Sequence, residues 1–213
     1  MATTDARSKD NGKRSMTQEE RSSNARSALI DATLSILVNE GFRNATFTRI
    51  QQEAGVSRGL IGYHFGTKST LMESVIHAVQ DRYHADTERL IGDDVTGIDA
   101  LRNVLSSYLG RLAVNPLPAQ AMLVLATESI SEAPEIRRSV RESFAVMRSE
   151  FGELLARGQR DGTIRDSVDP VGYAVVLEGV LRGAALQFLV DPQDVDLDAA
   201  RTAVLGLVDG IAA

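Results

Sequence analysis

The 213-residue chain has no cysteine, which excludes a disulfide framework and any thiolate metal site. It also lacks a long apolar run. An uncharged run such as GAALQFLV at 183–190 is far too short to cross a bilayer. The opening MATTDARSKDNGKRS has no apolar core of the kind a secretory leader carries. No segment alternates apolar and polar residues for long enough to make a strand. Catalytic signatures are missing as well, with no nucleophile motif, phosphate loop or dinucleotide fingerprint. His77 and His84 lie seven apart on one helical stretch, but Asp81 and Glu88 beside them make no recognised ligand set. The three aspartates of DGTIRDSVDP (161–170) lack the spacing and terminal Glu of a calcium loop. These absences lead us to expect a cytoplasmic, all-α protein that is not an enzyme, with no cofactor, no metal and no membrane association.

What is present is unevenly distributed. The composition, 43% hydrophobic and 24% charged, is that of an ordinary globular protein, and the net charge is −6. Residues 21–68 nevertheless hold six basic side chains (Arg21, Arg26, Arg43, Arg49, Arg58, Lys68) against three acidic ones (Asp31, Glu40, Glu53), a surplus of three positive charges. Residues 69–213 carry 13 basic and 22 acidic groups, a deficit of nine. A basic head on an acidic body is the pattern expected when only the head approaches phosphates.

Periodicity divides the chain into three parts. Residues 1–22 read as a disordered tail without apolar rhythm; its bases Arg7, Lys9, Lys13 and Arg14 are placed to brush a minor groove. From about Ser23, Ala25, Ala28, Leu29, Ala32, Ile36 and Leu37 recur at helical spacing until Gly41. Thr46 then caps a short helix, FTRIQQEA. Gly55 ends it, and Ser57 is expected to cap a second, RGLIGYHF. Two short helices across a Gly-containing turn define a helix-turn-helix, so 23–68 is read as a DNA-binding domain. Residues 69–213 are read as a helical ligand-binding and dimerisation domain, with helices predicted over 68–91, 98–114, 119–131, 134–160, 170–190 and 197–212.

The stretch TFTRIQQEAGVSRGLIGYHFGTKSTL (46–71) carries the chemistry. A helix entering the major groove needs polar and basic groups at its start and small residues where backbones approach. Arg58 stands at the first turn, where a guanidinium can grip guanine in a two-pronged hydrogen bond. Gly59 and Gly62 clear space, Leu60 and Tyr63 offer apolar contact to a thymine methyl or sugar, and Ile50, Ala54, Val56, Ile61 and Phe65 face inward as packing. The order A-G-V-S, then a basic residue and Gly, then aromatic-His-Phe and Lys, resembles the DNA-binding signature of the TetR family of bacterial repressors. The downstream helix lengths are similar over nearly the whole chain.

That resemblance implies a homodimer with two reading heads on a pseudo-palindromic double-stranded operator, and a variable helical body that binds a small-molecule effector. It further implies base or sugar contacts at Thr48, Arg58, Gly62 and Tyr63, and phosphate contacts at Thr46, His64 and Lys68. Two departures stand out. Gln51 occupies a position where the family usually has Ala at a close helix crossing, so its longer side chain must bend outward or widen the crossing. Gly62 replaces a frequent Tyr, with the aromatic one residue later.

In the acidic body, Met122, Leu125, Glu128, Phe144, Met147, Phe151, Tyr173 and Leu177 are candidates to line an effector pocket, with Glu128 and Arg182 as polar groups that orient a ligand. The 170–190 segment is apolar nearly all round, so it is expected to bury one side on its own subunit and the other on a partner. Gly179, Leu181, Arg182, Gly183 and Leu186, with Val204, Leu207, Val208 and Ile211 of the last helix, form the expected dimer interface. The sequence thus points to a repressor released from its operator by a small ligand. The alternatives are a constitutive or protein-controlled DNA-binding regulator, and a helical ligand-binding or enzymatic protein with a vestigial head. Arg58→Ala is expected to weaken operator binding far more than binding to random DNA in a competition mobility-shift assay. Equal losses on both would remove its base-reading role.

Overall fold

A computed structural model describes residues 17–57 and 59–213, the side chain of Asp86 excepted. The expectations for the tail bases and for Arg58 lie outside the described residues. Among those residues every regular element is helical, and one isolated bridge pairs Ile164 with Ala212. The order is α1 Gln18–Asn39, α2 Phe47–Ala54, α3 Leu60–Phe65, α4 Lys68–Thr87, α5 Gly97–Val114, α6 Leu117–Ile130, α7 Arg137–Arg160, α8 Pro170–Val190 and α9 Leu197–Asp209.

Local chemistry explains where these helices start. The first begins at Gln18 rather than Ser23, because Thr17 and Glu20 form a reciprocal capping box that satisfies two backbone N–H groups. Residues 18–22, read from composition as tail, are therefore helical. Thr67, Thr96, Asp169 and Asp196 cap α4, α5, α8 and α9 by accepting bonds from first-turn N–H groups. The predicted 134–160 helix has a tight turn at Pro134–Ile136 before α7 proper.

Packing arranges the helices around two cores. The first joins Leu29, Leu34 and Leu37 of α1, Ile50 of α2, Ile61 and Phe65 of α3, and Leu71, Met72 and Ile76 of α4. It also takes Ala121, Met122 and Leu125 from α6, and Val140 from α7. The apolar packing therefore runs on past residue 68, and the reading head rests on a floor supplied by the body. The second core holds Leu101 and Leu105 of α5, Phe151 and Leu155 of α7, Leu177 and Leu181 of α8, and Val204 and Val208 of α9. Each such fully buried large side chain contributes about 1.5–3 kcal/mol.

One crossing leaves no room for a side chain. A Cβ at Gly97 would lie 2.1 Å from the Gly158 nitrogen, so α5 and α7 meet backbone to backbone. The Asp161 carboxylate locks this contact by accepting from the Gly97 N–H at 2.6 Å. Thr163 donates to the same carboxylate, and these bonds, with the Thr163 hydroxyl the larger cause, hold it below the usual carboxylate range. Gly97→Ala should lower stability by roughly 1–3 kcal/mol, read as a lower urea midpoint at unchanged slope. A midpoint equal to that of the parent protein would show that the crossing yields freely.

Candidate nucleic-acid interface and ligand cavity

The head is built so that one face of α3 is left outside. Ile61 and Phe65 are buried, Ala54 and Val56 pack against the same core, and Ile50 is fully enclosed, as the pattern predicts. Their commitment turns Gly62 and Tyr63 outward, and Tyr63 is 80% exposed, an unusual state for a large aromatic. Thr48 and Ser57 are exposed on the same unit. Thr46 caps α2 by accepting from the Arg49 N–H at 3.3 Å, which leaves its own hydroxyl proton free for an external acceptor. His64 is half-buried between Tyr63 and Phe65, and its Nε2 has no hydrogen-bond partner among the described residues.

The turn differs from expectation in one respect. Ser57 does not cap α3. The cap is Gly59 at φ 96°, a left-handed conformation that strains any residue with a Cβ, and α3 starts at Leu60 with its N–H bonded to the Ser57 carbonyl. Leu60 itself is half-buried. Gln51 resolves its crowding by bending outward, its Nε2 reaching the Ser57 carbonyl at 3.4 Å.

Lys68 departs from its expected place at the phosphates. Its ammonium turns inward, donating to the Phe42 carbonyl at 2.7 Å and lying 4.1 Å from the centre of the Phe42 ring. Burial pulls its pKa below the ordinary lysine value, opposed by the carboxylates of Glu128 and Glu135. Arg43 and Arg49 are likewise committed. The former makes a forked pair with Glu132 beyond the end of α6, and the latter bonds Glu40 at 2.6 Å and Glu53 at 2.9 Å. The basic surplus counted along the head is thus spent partly on holding it to the body. Arg26 of α1 was missed by the sequence reading. It is exposed and lies over the Phe65 ring at 5.5 Å; its i to i+39 relation to Phe65 leaves no periodic trace.

Comparison with known proteins bears on this geometry directly. Residues 29–75 match bacterial regulatory proteins of the tetR family, and residues 97–213 match the C-terminal region of BetI-type transcriptional repressors. The chain belongs to the TetR family. It is 29% identical over 182 residues to the HTH-type transcriptional regulator BetI 1 of Chromohalobacter salexigens, covering 83% of this chain and 84% of that one. Over 165 residues it is 28% identical to BetI of Paraburkholderia phymatum, covering 75% and 81%. A TetR-family regulator from Rhodococcus sp. superposes with a TM-score of 0.77 at 26% identity, over 90% of this chain and 100% of that one. The chain is a transcriptional regulator of the TetR/BetI type, not an enzyme.

The body of this TetR-family protein contains a cavity of about 490 Å³ between α4, α5, α6, α7 and α8, within the size range of small-molecule sites. Of the expected pocket residues, Met122 and Met147 line it, as does Arg182. Leu125, Phe151 and Leu177 instead fill the cores, Tyr173 is on the outer surface, and Phe144 lies under the Arg182 guanidinium rather than on the wall. Glu128 stands beneath the head, where its field reaches Lys68 and Arg43. The walls missed from sequence are Val79, Tyr83 and His84 of α4 and Tyr108 and Arg111 of α5. Tyr83 of α4 and Tyr108 of α5 meet edge to face there, their ring centres 6.4 Å apart, although 25 residues separate them in the chain.

The expected dimer residues also divide. Leu181, Val204, Val208 and Ile211 are buried in their own core, and Arg182 faces the cavity. Gly179, Leu186 and Leu207 are exposed and Gly183 is partly so, together with Val175, Val176 and Val190, which the sequence reading did not assign to this face. By length and composition α8 is apolar enough to span a bilayer, but Ala174, Leu177, Leu181 and Ala185 are already committed to the second core.

Two substitutions separate reading from tethering. Tyr63→Ala should weaken operator binding while leaving thermal stability unchanged, since its ring touches little of the core. Lys68→Ala should lower the melting temperature and leave the slope of log affinity against log salt nearly as it was, because an internally bonded ammonium displaces no counterion. A slope smaller by about 0.9 would mark Lys68 as a phosphate contact after all.

Proposed function

We propose that this protein is a repressor that binds a pseudo-palindromic operator as a homodimer and leaves it when a small molecule enters the body. The observation that carries this reading is the course of α4. Its first residue, Lys68, is bonded to the loop of the head, its middle packs in the first core, and its later residues Val79, Tyr83 and His84 wall the cavity. A ligand that fits better with α4 displaced favours a state in which the heads change position, and release follows from the difference in affinity between the two states. Action on a chromosomal operator places the protein in the cytoplasm.

Dimerisation rests on the outer face of α8. Val175 or Val176, Gly179, Gly183, Leu186 and Val190 recur at three- and four-residue steps, and no atom lies within 4 Å of a Cβ placed on Gly179 or Gly183. Such a stripe admits a second helix at close range, and Leu207 of α9 extends it. Two copies joined there would present their α3 helices to successive major grooves about 34 Å apart. A chamber of about 490 Å³ inside the body supports the ligand-responsive reading over an effector-independent regulator, for which a fully packed body would suffice.

Light scattering at micromolar concentration should give twice the chain mass, and Leu186→Glu should give the single-chain mass with operator affinity lower by about a hundredfold or more, since both half-sites are then bound separately. A parent protein that is itself monomeric and still binds a palindromic site tightly would overturn the dimeric reading.

A further inference from the structure

One cluster of charges beside the cavity is not balanced within itself. Glu178 of α8 is 5% exposed and receives two guanidinium groups: Arg182 donates through Nε at 3.1 Å and Nη2 at 2.8 Å to Oε1, and Arg148 donates through Nη1 at 3.1 Å to Oε2. One carboxylate shared by two arginines leaves a positive surplus, and Arg182 is the one that lines the cavity. Its guanidinium rests 3.7 Å from the centre of the Phe144 ring, which fixes its plane. A fixed, incompletely neutralised guanidinium in a largely apolar chamber is preorganised for an oxyanion.

The other polar features of the wall do not suit a cation. The Glu150 carboxylate is already bonded to His84 Nδ1 at 2.7 Å, and burial raises its pKa against the opposing pull of His84. The Tyr83 ring, which would otherwise attract an ammonium, already has the Arg111 guanidinium 4.9 Å from its centre. The apolar part of the wall is Val79, Leu112, Met122, Val146 and Met147, while Arg82 and Arg111 add further cationic groups to the lining, and the two methionines adapt to varied apolar shapes.

We infer that the cavity takes an amphipathic anion, with a carboxylate or similar oxyanion head on Arg182 and an apolar body against Met122 and Met147. This rests on the ligand-responsive reading above and adds the chemical class of the effector. Arg182 is then the residue that sets specificity for the head group, and Arg148 is a positioning residue that holds Glu178 from the other side.

The test uses three ligands with one alkyl chain and different heads, decanoate, decanol and decyltrimethylammonium, titrated calorimetrically into the full-length protein. Decanoate should bind about ten- to a hundredfold more tightly than decanol, the value of a charged hydrogen bond, and the ammonium no more tightly than decanol. Arg182→Gln should bring decanoate to the level of decanol without changing decanol, Arg182→Lys should retain part of the preference, and Met147→Trp should weaken all three by filling the chamber. A thermal melt verifies that each variant is folded. Should the ammonium bind as tightly as decanoate, or should both Arg182 variants weaken all three ligands equally, the anion assignment fails while binding that is sensitive to Met147→Trp keeps the cavity reading intact. Binding by none of the three removes the cavity reading itself.

Discussion

Burial of one face of α4 is the constraint on which the rest of this molecule depends. Leu71, Met72, Val75 and Ile76 are completely enclosed in the core that also holds α1 and α6, and cores of this density do not deform by small continuous amounts. The helix therefore behaves as a rigid rod anchored in the middle. At one end Lys68 grips the Phe42 carbonyl in the head, and at the other Tyr83 and His84 stand in the cavity wall. The same anchoring explains why the head is not a free module on a linker: α6 forms its floor.

Charge reinforces that joint. The whole chain is acidic, yet the head is basic, and the sequence alone suggests that its cations are there for phosphates. In the folded protein several of them face the body. Glu132 takes Arg43, and the field of Glu128 reaches both Arg43 and Lys68. These contacts are largely exposed, so each adds little to stability on its own. Arg43 and Glu132 nevertheless tie the loop before α2 to the end of α6. Tyr63, Thr48 and Arg26 of the head remain exposed.

Helix α8 serves three neighbours at once. Leu177, Leu181 and Ala185 point into the second core, Arg182 turns to the cavity, and the stripe through Gly179, Gly183 and Leu186 remains open. Its nearly continuous apolar sequence therefore leaves Val175, Val176, Leu186 and Val190 exposed on the open side. Glu178 is the exception that proves useful, because a buried carboxylate requires partners, and Arg182, one of the arginines it collects, lines the cavity.

Helix content, the Thr46 cap of α2, the inward set Ile50, Ile61 and Phe65, and the outward Tyr63 all followed from the sequence. They depend on periodicity and local capping, whose interacting groups lie within a few residues of one another. The cavity wall, the inward turn of Lys68, the seat of Glu128 beneath the head, and the split of the α8 and α9 residues between core and open face were settled only by tertiary structure. Each depends on which helix lies across which, and a helix that is apolar on every side carries no mark of which neighbour takes which face.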